Sequence, residues 1–229
     1  MDVLGDLVAR ARRSDAPALR AGDHEFDYRR FCTTTWKVGN LMRHYLGVRA
    51  GVEVAIDPAP ARQAVLSFYG AALLGAPVRF THDPGEARAY VGPTSDLPEV
   101  GPATKLLAYG ETPDDPSVTY FEREVWSENP TEPTERIAPD DPLLRAVERT
   151  VSHGEALAAA RAVVSEYGLA SDTRVALRAP LTSPGAVVAG LVAPVLAGGT
   201  VLLPGEGQRG DFAVGDGPEP RVIDPGSAV

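Results

Sequence analysis

The stretch "TVSHGEALAAARAVVSEYGLASDTRVALRAPLTSPGAVVAGLVAPVLAGGTVLLP" (Thr150 to Pro204) decides the fold, because helix and strand patterns alternate along it. Its first part predicts a helix with Ser152 as N-cap and Glu155 three residues on, as in a capping box. "TRVALRAP" then predicts a strand, "PGAVVAGLVAPVLAGG" a buried helix and "TVLLP" a second strand. This order favours a parallel sheet with right-handed crossovers.

The residues before this stretch repeat the alternation. "VEVAID" and "PVRF" predict strands on either side of the helix "PARQAVLSFYGAALLGA". Upstream, "DVLGDLVARARR" predicts a helix, "PALRAGDHEFDY" a strand pair and "YRRFCTTTWKVGNLMRHYLGV" a long helix. "ARAYVG" and "TKLLAYG" predict further short strands. The predicted fold class is therefore α/β, with layered sheets built from parallel strand–helix–strand units.

Composition along the chain predicts four segments. Residues 1–110 form a first α/β lobe, and residues 111–142, rich in Pro, Glu, Asp and Thr, form a loop or linker. Residues 143–204 form a second α/β portion of the same domain. Residues 205–229, rich in Gly, Pro and Asp, form a tail that frays toward its end.

Charge and composition exclude several classes of protein. The 229 residues carry a net charge of -9 with no basic stripe, which argues against a nucleic-acid partner. High acidity with only two lysines, Lys37 and Lys105, favours a halophilic source, and a GC-rich genome is the alternative explanation for the excess of arginine. The single cysteine, Cys32, excludes an internal disulfide and a cysteine-rich zinc site. With no signal peptide and no apolar run of about 20 residues, we expect a cytoplasmic protein with no membrane partner.

Four segments together resemble the amino-terminal portion of the adenylate-forming enzymes, the AMP-dependent synthetases and ligases that include acyl-CoA synthetases. They are "PALRAGDHEFDYRRF…NLMRHYLGVRAGVEVAI", "AVLSFYGAALLGAPV", "IAPDDP" and the stretch quoted first. Their order matches the family over roughly residues 2 to 204. The resemblance implies the fold of that family's N-terminal subdomain. In a complete enzyme it also implies ATP-dependent activation of a carboxylate, with ATP and Mg²⁺ bound.

The sequence departs from the family where the phosphate loop belongs. In the family, a Ser/Thr/Gly-rich loop ending in lysine wraps the nucleotide phosphates, because glycines let backbone N–H groups converge on phosphate oxygens. Residues 143–151 contain no glycine and no lysine; Leu143, Leu144 and Glu148 stand there instead. The family's adenine-binding stretch, ribose aspartate and mobile domain with its catalytic lysine are not found either. The resemblance therefore implies a degenerate phosphate loop, and we predict no catalytic residue and no cofactor.

Six residues remain as candidate ligand-binding residues. Two arginines near the shortened junction are candidate phosphate contacts. The start of the helix beside them offers a hydroxyl and an imidazole. The hydroxyls of "APLTSPG" occupy the place of the family's acyl pocket. These residues are Arg145, Arg149, Ser152, His153, Thr182 and Ser183. No metal site is predicted, because His24, His44 and His82 are scattered and none forms an i, i+4 pair. "GEGQRG" (Gly205 to Gly210) predicts a turn, since no helix follows it.

Three functions fit these observations. The first is a binding or regulatory module without adenylation activity, in which a second copy or a protein partner covers apolar surface that the full enzyme buries. The second is one subunit of a split ligase that another chain completes. The third is a small-molecule binder that retains the acyl pocket.

Overall fold

The computed structural model describes residues 1–147 and 149–227. Within these residues the chain forms two sheets with helices against them. The strands are β1 (Pro17–Ala21), β2 (His24–Asp27), β3 (Val54–Ile56), β4 (Val78–Phe80), β5 (Ala89–Pro93), β6 (Lys105–Tyr109), β7 (Thr119–Tyr120), β8 (Pro142–Arg145), β9 (Thr150–Ser152), β10 (Arg174–Leu177), β11 (Thr200–Leu203), β12 (Phe212–Val214) and β13 (Val222–Ile223). The helices are α1 (Tyr28–His44), α2 (Arg62–Ala72), α3 (Phe121–Ser127), α4 (His153–Tyr167), α5 (Pro184–Val187) and α6 (Ala193–Ala197).

Both sheets are mostly parallel, which confirms the predicted fold class. The first has the order β13-β12-β10-β11-β1-β2 and the second the order β7-β6-β5-β3-β4-β8-β9. Antiparallel pairing occurs only in the two hairpins, β1–β2 and β8–β9, among the strands described. Strand β1 pairs with β11, and β8 pairs with β4. The two halves of the chain thus contribute strands to each other's sheets, and one apolar core runs through both.

The predicted helix pattern of the decisive stretch is confirmed, with one irregularity. Ser152 caps α4, and its capping box with Glu155 is formed in both directions. The predicted buried helix comprises α5, a π-helical turn at Val188–Val192 and α6. None of the helices in the described part of the chain combines the length and apolar character needed to cross a membrane.

Three segments differ from the sequence expectations. The predicted N-terminal helix consists of two 3₁₀ turns, Leu4–Val8 and Arg10–Arg12. The segment 111–142, expected as a loop or linker, contains β7 and α3, and the apolar side chains of Phe121 and Val125 are buried. The expected tail contains β12 and β13, which extend the first sheet. In the last two segments, buried apolar side chains hold the helix and strands in place. The sequence did not predict these elements, because short strands surrounded by Gly and Pro have a weak local sequence pattern.

Helices α1 and α2 cross at two glycines, and this close approach gives the first prediction. A Cβ on Gly70 would lie 2.9 Å from Val38 Cγ1 and 3.0 Å from the backbone nitrogen of Gly39. Because a backbone atom cannot move aside, we expect Gly70→Val to lower the free energy of unfolding by about 1–3 kcal/mol. Gly101→Val is the control, because nothing lies within 4 Å of its Cβ position. Equal urea midpoints for the two variants would contradict the prediction.

Candidate functional site

A crevice opens at the carboxyl ends of the first sheet's parallel strands. It has a volume of about 650 Å³, and it is lined where β1, β10 and β11 end and by the first residues of α2. Crevices at this edge of a parallel sheet are the usual ligand sites of α/β folds. The side chains at its rim that carry charge or hydrogen-bonding groups are His24, Arg62, Gln63, Arg178 and Asp216.

The two arginines of the crevice are held differently. The Arg178 guanidinium donates to both carboxylate oxygens of Glu219, at 2.6–3.1 Å, and to the carbonyl oxygen of Gln208 at 2.9 Å. Its charge is therefore balanced within the protein. Arg62 lies over the Phe26 ring at 5.6 Å, and its pKa is lowered by burial, although Glu122 partly offsets this. Arg62 is the crevice cation whose charge is less fully balanced.

The junction predicted to lack a phosphate loop is the tight hairpin β8–β9. Leu144 pairs with Val151 and Arg145 with Thr150, and the backbone N–H of Ala146 donates to the carbonyl oxygen of Arg149 at 2.9 Å. This N–H therefore bonds within the hairpin and is not free to bind an anion. Glu148, which belongs to this junction in the sequence, lies outside the described residues.

Three of the candidate ligand residues at the hairpin already have partners in the protein. Arg145 forms an ion pair with Glu53 at 3.3 Å, and Arg149 lies 3.9 Å from Glu155. Ser152 Oγ accepts from the backbone N–H of Glu155 at 3.2 Å, as an N-cap does. Exposed ion pairs stabilise a protein by only about 0–1 kcal/mol, so an anion could replace the carboxylate partners of the two arginines. Their present pairing, however, offers no preformed anion site.

His153 is fully buried, with 0% of its surface exposed. Its Nδ1 accepts a hydrogen bond from the backbone N–H of Leu4 at 3.1 Å, and its Nε2 has no hydrogen-bond partner among the described residues. Burial lowers the pKa of the imidazole to about 4, although Asp141 and Asp6 oppose this. The ring is therefore neutral near pH 7 and joins the N-terminal turn to α4.

Thr182 and Ser183 lie in the loop between β10 and α5. Thr182 is exposed and Ser183 is half-buried at the N-cap of α5, where its hydroxyl makes no capping hydrogen bond. The backbone N–H of Leu181 donates to the carbonyl oxygen of Pro58, which fixes this loop beside the segment that follows β3. Neither hydroxyl lines the crevice. The structure thus divides the six candidates between the hairpin and this loop.

Sequence reasoning missed the polar residues that directly follow the parallel strands. Asp57 follows β3, His82 comes two residues after β4, and Asp96 ends the 3₁₀ turn after β5. Their ligand atoms lie within 4.8 Å of one another. The sequence held a signal for this group, because all three strands were predicted and the carboxyl ends of parallel strands meet at one edge. A search of the sequence for histidine pairs at helical spacing cannot find metal ligands that lie at the ends of separate strands.

Comparison with known proteins confirms the resemblance at the level of the fold. No protein-family model matches the sequence, and no curated protein is significantly similar to it. The solved structures it resembles include the anthranilate CoA ligase AuaEII in complex with anthranoyl-AMP (TM-score 0.74, 20% identity, 88% of this chain and 44% of that chain). They also include ATP-bound MatB from Rhodopseudomonas palustris (TM-score 0.71, 13% identity, 89% and 45%) and the nonribosomal peptide synthetase FmoA3 (TM-score 0.73, 18% identity, 90% and 23%).

The chain spans less than half the length of each of these three proteins. It also resembles the N-terminal domain of FACL13 from Mycobacterium tuberculosis, with a TM-score of 0.70 at 16% identity. The chain therefore has the fold of the amino-terminal portion of adenylate-forming enzymes.

Proposed function

We propose that this chain is a binding module with the fold of an adenylate-forming enzyme, and that it does not activate carboxylates by itself. The observation that carries the proposal is the tight β8–β9 hairpin in place of a phosphate loop. Phosphate cradles need several backbone N–H groups that converge on one point, and glycines permit that geometry. Residues 143–151 contain no glycine to form such a cradle and no lysine to neutralise the phosphates.

The crevice at the first sheet is where this module would hold a ligand. Its volume of about 650 Å³ lies within the range of small-molecule sites, roughly 300–1,000 Å³. Arg62, the cation whose charge is less fully balanced, lies at the start of α2. One of the resembled proteins is an anthranilate CoA ligase, and a guanidinium is well matched to a carboxylate such as anthranilate. We therefore assign the crevice to a small carboxylate.

An exchange assay tests the first half of the proposal. ATP–pyrophosphate exchange with a panel of carboxylates is expected to stay at background for this chain, while a complete carboxylate–CoA ligase of the same fold serves as positive control. Exchange by the chain alone would contradict the proposal. Exchange that appears only when a separate polypeptide with the distal half is added would instead support the split-ligase function.

Ligand-observed NMR tests the crevice. A carboxylate library screened against the chain is expected to yield binders that Arg62→Gln weakens by about tenfold or more, because a hydrogen bond to a charged group is worth about 1.5–3 kcal/mol. Arg209→Gln is the control, since Arg209 does not line the crevice. Equal loss of affinity in both variants, or no binder, would remove the crevice from the proposal.

Two further expectations from the sequence stay predictions. They are self-association or binding of a protein partner, and a cytoplasmic location.

A further inference from the structure

Asp57, His82 and Asp96 come together at the carboxyl edge of the second sheet, outside the crevice described above. They follow three neighbouring strands, in the order β5-β3-β4. Each offers one potential metal-ligand atom, and these atoms lie within 4.8 Å of one another. The set combines one imidazole with two carboxylates, which is a donor set used for divalent transition metals.

Asp57 is a buried and oriented anchor. Only 3% of its side chain is exposed, and its Oδ1 accepts from the backbone N–H of Ala59 at 2.9 Å. Its Oδ2 accepts from the Tyr90 hydroxyl at 3.3 Å. Hydrogen bonds of this kind orient a carboxylate in the way that a second shell orients metal ligands.

The distance between the ligand atoms of His82 and Asp57 fits a shared cation. His82 Nδ1 lies 3.1 Å from Asp57 Oδ2. Two ligands about 2.1 Å from one cation are about 3.0 Å apart in octahedral and about 3.4 Å apart in tetrahedral coordination. His82 is 71% exposed and Asp96 is also exposed, so both side chains have room to adjust to a metal. The open side leaves coordination positions for water or a ligand.

A simple ion pair between His82 and Asp57 explains less of this arrangement than a metal site does. It would explain the approach of His82 to Asp57, but it would leave Asp96 as an additional carboxylate at the same edge. Two carboxylates and a neutral imidazole balance the charge of a divalent cation. The imidazole favours zinc-class metals over Mg²⁺ and Ca²⁺, which prefer oxygen ligands.

We propose that Asp57, His82 and Asp96 bind one divalent transition-metal ion of the zinc class. The site is independent of the crevice and of the proposed function. It joins three strand ends of the second sheet. A bound metal would also hold the loops after β4 and β5 to the loop after β3.

Calorimetric titration of the chain without an affinity tag tests the site. Zn²⁺ is expected to bind with one equivalent per chain, and Co²⁺ to give visible absorption bands from bound metal. His82→Ala and Asp96→Asn are each expected to weaken binding at least tenfold. Both residues are exposed, so their variants are expected to fold. His44→Ala, a change of an exposed histidine outside the group, is expected to leave binding unchanged.

The proposal would be overturned by an absence of Zn²⁺ and Co²⁺ binding to the unmodified chain. It would equally be overturned by affinities for His82→Ala and Asp96→Asn that match the unmodified chain. A loss in His44→Ala as large as in His82→Ala would also overturn it, because it would place the metal elsewhere.

Discussion

Replacement of Glu219 by alanine is expected to lower the free energy of unfolding by about 1.5–3 kcal/mol, because it removes the carboxylate that accepts hydrogen bonds from the largely buried Arg178 guanidinium. The Glu219 side chain is 0% exposed and that of Arg178 only 20% exposed. Burial opposes ionisation of Glu219, but the hydrogen bonds from Arg178 and from the backbone N–H of Gly210 outweigh it and lower the pKa of the carboxyl group.

This ion pair also fixes the segment after residue 205. Arg178 follows β10, whereas Glu219 lies between β12 and β13, so the pair joins the edge of the first sheet to its interior. Loss of the carboxylate is therefore expected to loosen β12 and β13 before the rest of the protein unfolds. Limited proteolysis is expected to cut the variant within residues 205–223.

Urea unfolding at pH 7 measures the predicted loss. Glu206→Ala is the matched control, since Glu206 is an exposed carboxylate of the same segment. We expect the Glu206 variant to lie within about 0.5 kcal/mol of the unmodified chain. A loss below about 1 kcal/mol for the Glu219 variant, or equal losses for the two variants, would show that the pair does not hold the segment.

His153 gives the second large effect, a loss of stability in mild acid. Its pKa is about 4 in the folded chain, against 6.5 for an unperturbed histidine, with burial as the main cause. Since the unfolded chain binds the proton more tightly, stability is full above pH 6.5 and falls as the pH drops toward 4. The difference between the two pKa values corresponds to about 3 kcal/mol.

The structure explains why protonation of His153 destabilises the folded chain. Nδ1 accepts from the backbone N–H of Leu4, so protonation at Nδ1 would replace this hydrogen bond by two opposed donors. The buried charge would have Asp141 and Asp6 as its nearby opposite charges, and they do not overcome the burial. Acid is therefore expected to release the N-terminal turn Leu4–Val8 from α4.

Comparison with His153→Asn isolates this contribution. Asparagine is expected to keep an acceptor near the Leu4 N–H while removing the titrating group. The difference in unfolding free energy between the unmodified chain and the variant is expected to shift by about 3 kcal/mol between about pH 7 and about pH 4. His24→Asn, at an exposed histidine, is expected to show no such shift. Parallel pH curves for His153→Asn and the unmodified chain would contradict the assignment.

Local signals allowed much of the fold to be predicted. Ser152 and Glu155 form the expected capping box, and the strand β10 follows α4 as the hydrophobic pattern indicates. The β12 and β13 strands were missed, because each is short and its stability comes from pairing within the sheet rather than from its own residues. The same reason applies to α3, whose buried face is only Phe121 and Val125.

The candidate site was predicted less well than the fold. His82 and Asp57 are 25 residues apart and meet only because β3 and β4 are neighbours in the sheet. The burial of His153 also depends on tertiary structure, since Leu4 is 149 residues away. In contrast, the sequence alone showed that residues 143–151 lack glycine and lysine, because that deficiency is one of composition.

Calorimetric titration with MgATP tests the absence of a phosphate cradle most directly. We predict no saturable heat at millimolar ATP, and no difference between the unmodified chain and a variant with both Arg145→Ala and Arg149→Ala. Saturable binding that the double variant abolishes would contradict the account, because it would show that the β8–β9 hairpin holds nucleotide phosphates.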